Sequence, residues 1–233
     1  MTYYRRENRL IHHVEIPKTG TKSVKALLES HGWKEDAVLI ERTSSLYSRN
    51  NAVQIENHTH YDLYSKLGVT PDFEFTVVRN PIDRFVSSVY FLRDQWSKGY
   101  GGDPRKVARP EEITSEGMIH FIHAVFTKLI PEHGRHVEHN LYLPQNLFVG
   151  PETAVFKFGK EGFDSLLKEL IKNKIISSPC GMPRINASTS GGFKKKKPNW
   201  NYAPQVTEYF FDYYKDDFIK FCYEVPEYQK NDK

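Results

Sequence analysis

Strands alternating with helices predict an α/β fold built on a mainly parallel sheet. Three observations carry that prediction. Residues 10–16 (LIHHVEI) and 73–78 (FEFTVV) are short runs rich in branched and aromatic residues, the pattern of buried strands. Each is followed by apolar residues at helical spacing. Val24, Leu27 and Leu28 follow the first, and Ile82, Phe85, Val86, Val89 and Tyr90 follow the second. The run 154–158 and the amphipathic stretch 163–171 repeat the order near the end of the chain.

Each element has a local reason. Residues 17–20 (PKTG) break the first strand, and a helix starts at Thr21. The apolar run 37–40 reads as a second strand and 52–55 as a brief extended piece. Residues 61–67 read as a short helix stopped at Gly68. After the strand 73–78, Asn80 is an N-cap and Pro81 a favoured first helical residue. Residues 97–117 and 177–199 read as loop excursions, the second containing the run Lys194 to Lys197. Between them lies a buried helix marked by Met118, Ile119, Ile122, Val125 and Phe126. Short strands are expected at 147–149 and 154–158, and a last aromatic helix at 203–223, with Trp200 and Tyr202 buried against it in preference to stacking on a sugar ring. No internal repeat stands out, so residues 1–233 are expected to form a single domain.

Composition narrows the function. The 233 residues are enough for a core that buries roughly 70–75% of the unfolded surface. A net charge of +4 is too mild for nucleic-acid binding but suits an anionic ligand. Two cysteines, Cys180 and Cys222, make no disulfide framework, and no Cys/His set has zinc-finger spacing. The first ten residues lack an apolar signal core and no run reaches membrane-spanning length. The sequence reads as soluble and cytoplasmic, with no oligomeric state legible.

The chemistry concentrates at PKTGTKS, residues 17–23. A strand–turn–helix junction aims free backbone N–H groups and a positive helix end above the turn. Gly20 permits close backbone approach, Lys18 brings a full charge, and Thr19, Thr21 and Ser23 bring hydroxyls. Lys22-Ser23 is preceded by Thr21 rather than by a glycine, so the Walker A pattern is not met. In parallel sheets ligands sit outside the carboxyl ends of the strands. That places the Lys18 loop and Arg79 on one rim, as two anion sites.

PKTGTKS resembles the 5′-phosphosulfate loop of sulfotransferases. RNPIDRFVS, residues 79–87, resembles that family's 3′-phosphate element, an Arg followed eight residues later by a Ser. The flanks are most similar to the branch with heparan sulfate 2-O-sulfotransferases and related carbohydrate sulfotransferases. The resemblance implies a P-loop-like three-layer fold and 3′-phosphoadenosine 5′-phosphosulfate (PAPS) as sulfuryl donor, leaving PAP. It implies donor contacts at Lys18, Thr19, Gly20, Thr21, Lys22, Ser23, Arg79 and Ser87, with Lys18 also catalytic. It implies a histidine base, His60 with His58 assisting, in the stretch His58-Thr59-His60, where Thr59 replaces a glycine of the family's element. The acceptor is expected to be a glycan or small-molecule hydroxyl. No metal is expected, His133, His136 and His139 reading as surface or acceptor-contact residues. Two rivals remain at this point: a kinase with a degenerate phosphate loop, and a non-catalytic nucleotide-binding module.

Overall fold

A computed structural model of the protein describes residues 2–42, 61–97, 113–129, 140–178, 180–183 and 196–227. They gather into two compact units. One is Met1–Arg79 with Gln145–Ala187, the other Asn80–Pro144 with Ser188–Lys233.

The first unit is a five-stranded sheet with its helices. β1 (Thr2–Arg6) and β2 (Arg9–Val14) form an antiparallel hairpin with Tyr3 opposite His12. Its two-residue turn puts Glu7 at φ 56°, as a tight hairpin requires. The helix α1 spans Thr21–Ser30, the short β3 spans Lys34–Glu35, and residues 37–42 form the short helix α2. β4 (Phe73–Val78) runs parallel to β2, and β5 (Ala154–Lys157) parallel to β4. The order is β3-β1-β2-β4-β5, with β3 antiparallel to β1, so four strands share a direction and β1 opposes them. The expected α/β class with a mainly parallel sheet and flanking helices is what the chain adopts.

The two-residue period of the strands sorts the faces. Tyr4, Ile11, Phe75 and Val77 lie on one face with Val24, Leu27 and Leu28 of α1. Leu166, Leu167 and Leu170 of the late helix Lys160–Lys172 join the same cluster. Tyr3, His12 and Glu74 point the other way. There His12 stacks on Tyr3 and meets the edge of Tyr64, which belongs to the short helix α3 (Tyr61–Tyr64). The His12 Nδ1 lies 2.7 Å from Glu74 Oε2, and the Tyr64 and Thr153 hydroxyls donate to Glu74 Oε1.

The second unit is helical. α4 (Pro81–Ser97) starts under an Asn80 cap whose Oδ1 accepts from the Ile82 N–H at 3.0 Å. Phe85 and Val89 of α4 share a core with Ile122 of α5 (Ser115–Ala124). Phe210 and Tyr214, at the end of the helix Pro204–Tyr213, and Phe218 of the helix Lys215–Lys220 complete it. Trp200 packs on Phe210 and Phe211, as expected, whereas Tyr202 is half exposed rather than buried against that helix. Arg84 is buried and gives its guanidinium to the carbonyls of Leu143 (2.7 Å) and Asn140 (3.1 Å).

Four local expectations change. Residues 37–42 are helical rather than a strand, because the Asp36 carboxylate accepts from the Leu39 N–H at 3.1 Å and caps a helix there. Residues 147–149 are not a strand: Gln145–Leu147 form a 3₁₀ turn closed by the Phe148 N–H on the Gln145 carbonyl. The excursion 97–117 ends early, since Thr114 caps α5 by accepting from the Gly117 N–H. The single last helix is two, broken at Tyr214, whose hydroxyl is tied to the Tyr142 carbonyl. The expected extended piece at 52–55 lies outside the described residues.

Candidate active site

Lys18, Gly20, Arg79, Gln145 and Phe158, at the carboxyl rim of the sheet, belong to the first unit. β2 ends at Val14 and the chain crosses residues 15–20 before α1 begins. Two consecutive devices shape this crossing. Lys18 sits in the left-handed region at φ 68° and Gly20 at φ 96°. Gly20 is the N-cap of α1, and no side chain caps the helix. The first turn of α1 therefore keeps its dipole and amide donors directed at the rim. A side chain at Gly20 would press on Phe163 and Phe158, at 3.2 and 3.3 Å from the new carbon. The glycine is needed both for its dihedral angle and for this close approach.

The hydroxyls divide their work. Thr19 is buried and its Oγ1 donates to the Ile16 carbonyl at 2.8 Å; Thr21 Oγ1 donates to the same carbonyl at 3.3 Å. A hydroxyl has one proton to give, and these two side chains spend it on holding the loop in shape. Lys22 is exposed on the first turn and Ser23 is buried beneath it. The Ser23 N–H closes the turn on the Gly20 carbonyl at 2.9 Å.

Arg79 follows the last residue of β4 and comes to the same place. Its Nη1 donates to the Lys18 carbonyl at 3.3 Å, and its guanidinium lies 4.5 Å over the Phe158 ring. Sequence spacing put Lys18 and Arg79 on one rim, and they share it. Two partners of Arg79 were missed. Gln145, fully buried, accepts from the Arg79 N–H at 2.9 Å and donates to the Arg79 carbonyl at 2.7 Å, fixing the arginine backbone from both sides. Phe158 is 40% exposed and presents an aromatic face next to the loop. The one signal for Phe158 was its place just after β5. Nothing local marks Gln145.

Ser87 lies on α4 in the second unit and is buried. His58 and His60, the expected bases, lie outside the described residues, as do Lys194, Lys195, His133, His136 and His139. Among the described residues no group of three or more His, Cys, Asp or Glu could hold a metal ion. Among them, too, no helix is long and apolar enough to cross a membrane.

A rim with a glycine-capped helix end, a loop lysine and an adjacent arginine has the chemistry of a candidate anion site on an α/β fold. Comparison with protein families gives that class its name. The model described as "Sulfotransferase family" matches residues 2–224, and the chain belongs to that family. It is thus a transferase of sulfuryl groups, and the matched span runs through both units. Neither the curated proteins nor the solved structures contain a match.

Proposed function

We propose that residues 1–233 form one sulfotransferase domain that moves a sulfuryl group from PAPS to a hydroxyl, with a carbohydrate as the preferred acceptor class. The observation that supports this best is the pairing of the Arg79 guanidinium with the Lys18 carbonyl beside the uncapped start of α1. Left-handed Lys18 and Gly20 aim that turn at the rim, and the donor set suits a phosphosulfate anion. PAPS supplies an activated sulfuryl group on a phosphate leaving group.

The residues then have separate tasks. The backbone N–H groups of Gly20, Thr21 and Lys22 hold the 5′ phosphosulfate, with Thr19 and Ser23 shaping the turn. Lys18 places its ammonium at the bridging oxygen, where charge builds as the sulfur–oxygen bond breaks. Arg79 and Ser87 take the 3′-phosphate, as the resemblance implies. His60, assisted by His58, accepts the acceptor's hydroxyl proton as that oxygen bonds to sulfur. No step calls for a metal. The flanks RNPIDRFVS and the HTH stretch support the 2-O-sulfotransferase-like branch and hence a glycan hydroxyl.

The test incubates the protein with sulfur-labelled PAPS and an acceptor library that includes glycans, and reads sulfo addition by mass spectrometry. Transfer that disappears in His60→Ala while PAP still raises the melting temperature supports the reading. Stabilisation by ATP with magnesium in preference to PAP overturns it.

A further inference from the structure

β4 ends at Val78, and Arg79 is the first residue beyond it. The segments that flank β5 finish this strand end from both sides. Ahead of β5, Gln145 opens a 3₁₀ turn that the Phe148 N–H closes on the Gln145 carbonyl at 3.0 Å. Phe148 is fully buried and anchors that turn. After β5, the Phe158 N–H continues the ladder onto the Val78 carbonyl at 2.6 Å, and the Phe158 ring lies under the Arg79 guanidinium.

Gln145 meets the Arg79 backbone much as a residue of a neighbouring strand would. Its Oε1 accepts from the Arg79 N–H at 2.9 Å, and its Nε2 donates to the Arg79 carbonyl at 2.7 Å. An amide offers acceptor and donor side by side, whereas an ionised glutamate of the same shape can only accept. Backbone groups at a strand end need such partners once water is excluded, and Gln145 is fully buried.

The consequence runs outward to the loop. From this fixed backbone, Arg79 reaches the Lys18 carbonyl with Nη1 at 3.3 Å, already at the long end of a hydrogen bond. A small shift of the Arg79 backbone would break that contact. The carbonyl belongs to a residue at φ 68°, a conformation that persists only where its surroundings hold it.

We propose that Gln145 is a positioning residue for the Lys18 turn, acting through Arg79: the amide fixes the arginine backbone, the guanidinium fixes the Lys18 carbonyl, and the lysine ammonium is aimed as a result. This rests on the reading above, in which Lys18 stabilises the leaving oxygen. Gln145 itself touches neither donor nor acceptor. Its effect falls on the rate of transfer, because a misplacement of about 1 Å in a reacting group can cost about 10²-fold.

The test measures kcat for sulfuryl transfer from labelled PAPS to the acceptor found by the screen above. The proteins are the unaltered chain, Gln145→Met, Gln145→Glu, Lys18→Ala, and Lys18→Ala combined with Gln145→Met. Gln145→Met keeps the length of the side chain without its polar pair, and is expected to lower kcat about 10- to 100-fold. With Lys18 already removed, the same change should cost less than about twofold, since the group it positions is gone. In Gln145→Glu, kcat relative to the unaltered chain should rise as pH falls from 8 to 5.5. A protonated carboxyl donates to the Arg79 carbonyl and a carboxylate cannot, and the ratio cancels titrations that both chains share. If Gln145→Met does not fold, Gln145→Glu decides alone. Transfer within about twofold of the unaltered chain in every folded Gln145 single variant overturns the proposal. So does a ratio for Gln145→Glu that ignores pH, and so does an equal loss with and without Lys18, which marks general damage to the fold. An unaltered chain that transfers nothing from PAPS ends the parent reading; these variant outcomes bear on Gln145 alone.

Discussion

Lys18 holds a left-handed backbone at φ 68° without being glycine, at a cost of order 1 kcal/mol. The cost persists because the turn is fixed from both ends. Thr19 ties back to Ile16, and Arg79 donates to the Lys18 carbonyl. A residue kept there despite strain is kept for its side chain. Lys18→Gly should relieve the backbone and leave the melting temperature level or higher, yet lower sulfuryl transfer about 10²- to 10³-fold through loss of the ammonium. Transfer measured with labelled PAPS, beside a thermal scan, checks both halves; retained activity removes Lys18 from the mechanism. The lysine, the glycine and the arginine were legible in the sequence because motif chemistry is written in residue types a few positions apart. Gln145 was not, because its amide reaches Arg79 across 66 residues of chain.

Helices and strands here depend on how their ends are finished. Arg6 at the end of β1 closes two helices at once. Its Nη1 donates to the carbonyls of His31, just past α1, and of Ile175, and its Nη2 donates to Lys174, just past the helix 160–172. The guanidinium also lies 4.7 Å over the Trp33 ring. Only the planar fork of an arginine serves three carbonyls and a ring together. Arg6→Lys should therefore cost about 1–2 kcal/mol and lower the melting temperature by about 3–6 °C. An unshifted scan would show that water replaces the fork. Caps of short reach were readable: Asn80-Pro81 opens α4 and Gly68, at φ 63°, ends the preceding turn. Asp36 caps residues 37–42 just as locally, but the apolar run beyond it reads equally well as strand or helix. A run of four residues carries no decisive period.

Across the whole molecule, two neighbouring histidines of β2 make stability depend on pH. Burial drives the pKa of His12 down against the pull of its Glu74 hydrogen bond, and drives His13 well below the ordinary value. Burial thus favours the neutral form of both in the folded chain, with Tyr3, Tyr64 and Glu74 facing His12 and Phe75 stacked on His13. Above pH about 6.5 neither state binds these protons and their contribution is constant. Below it the unfolded chain takes up protons that the native chain refuses. Stability should then fall by about 1.4 kcal/mol per pH unit for each histidine still neutral. The Glu74 carboxyl, held below its usual value by His12, Thr153 and Tyr64, adds a further loss at lower pH. Urea unfolding at pH 7.5, 6.5 and 5.5 checks the sign, and a flat profile would contradict buried neutral histidines. The sequence by itself determined β2, β4 and β5 with the helix that follows each, where glycine and proline interrupt them, and which turn carries Lys18 and Gly20. Those depend on spacing, dihedral preference and charge within a few residues. Tertiary structure alone decided that Arg79 lies against the Lys18 loop, that Gln145 and Phe158 support it, and that His12 turns toward Glu74 while His13 turns toward Phe75. Such contacts join residues far apart in the chain, and strand register and packing select them.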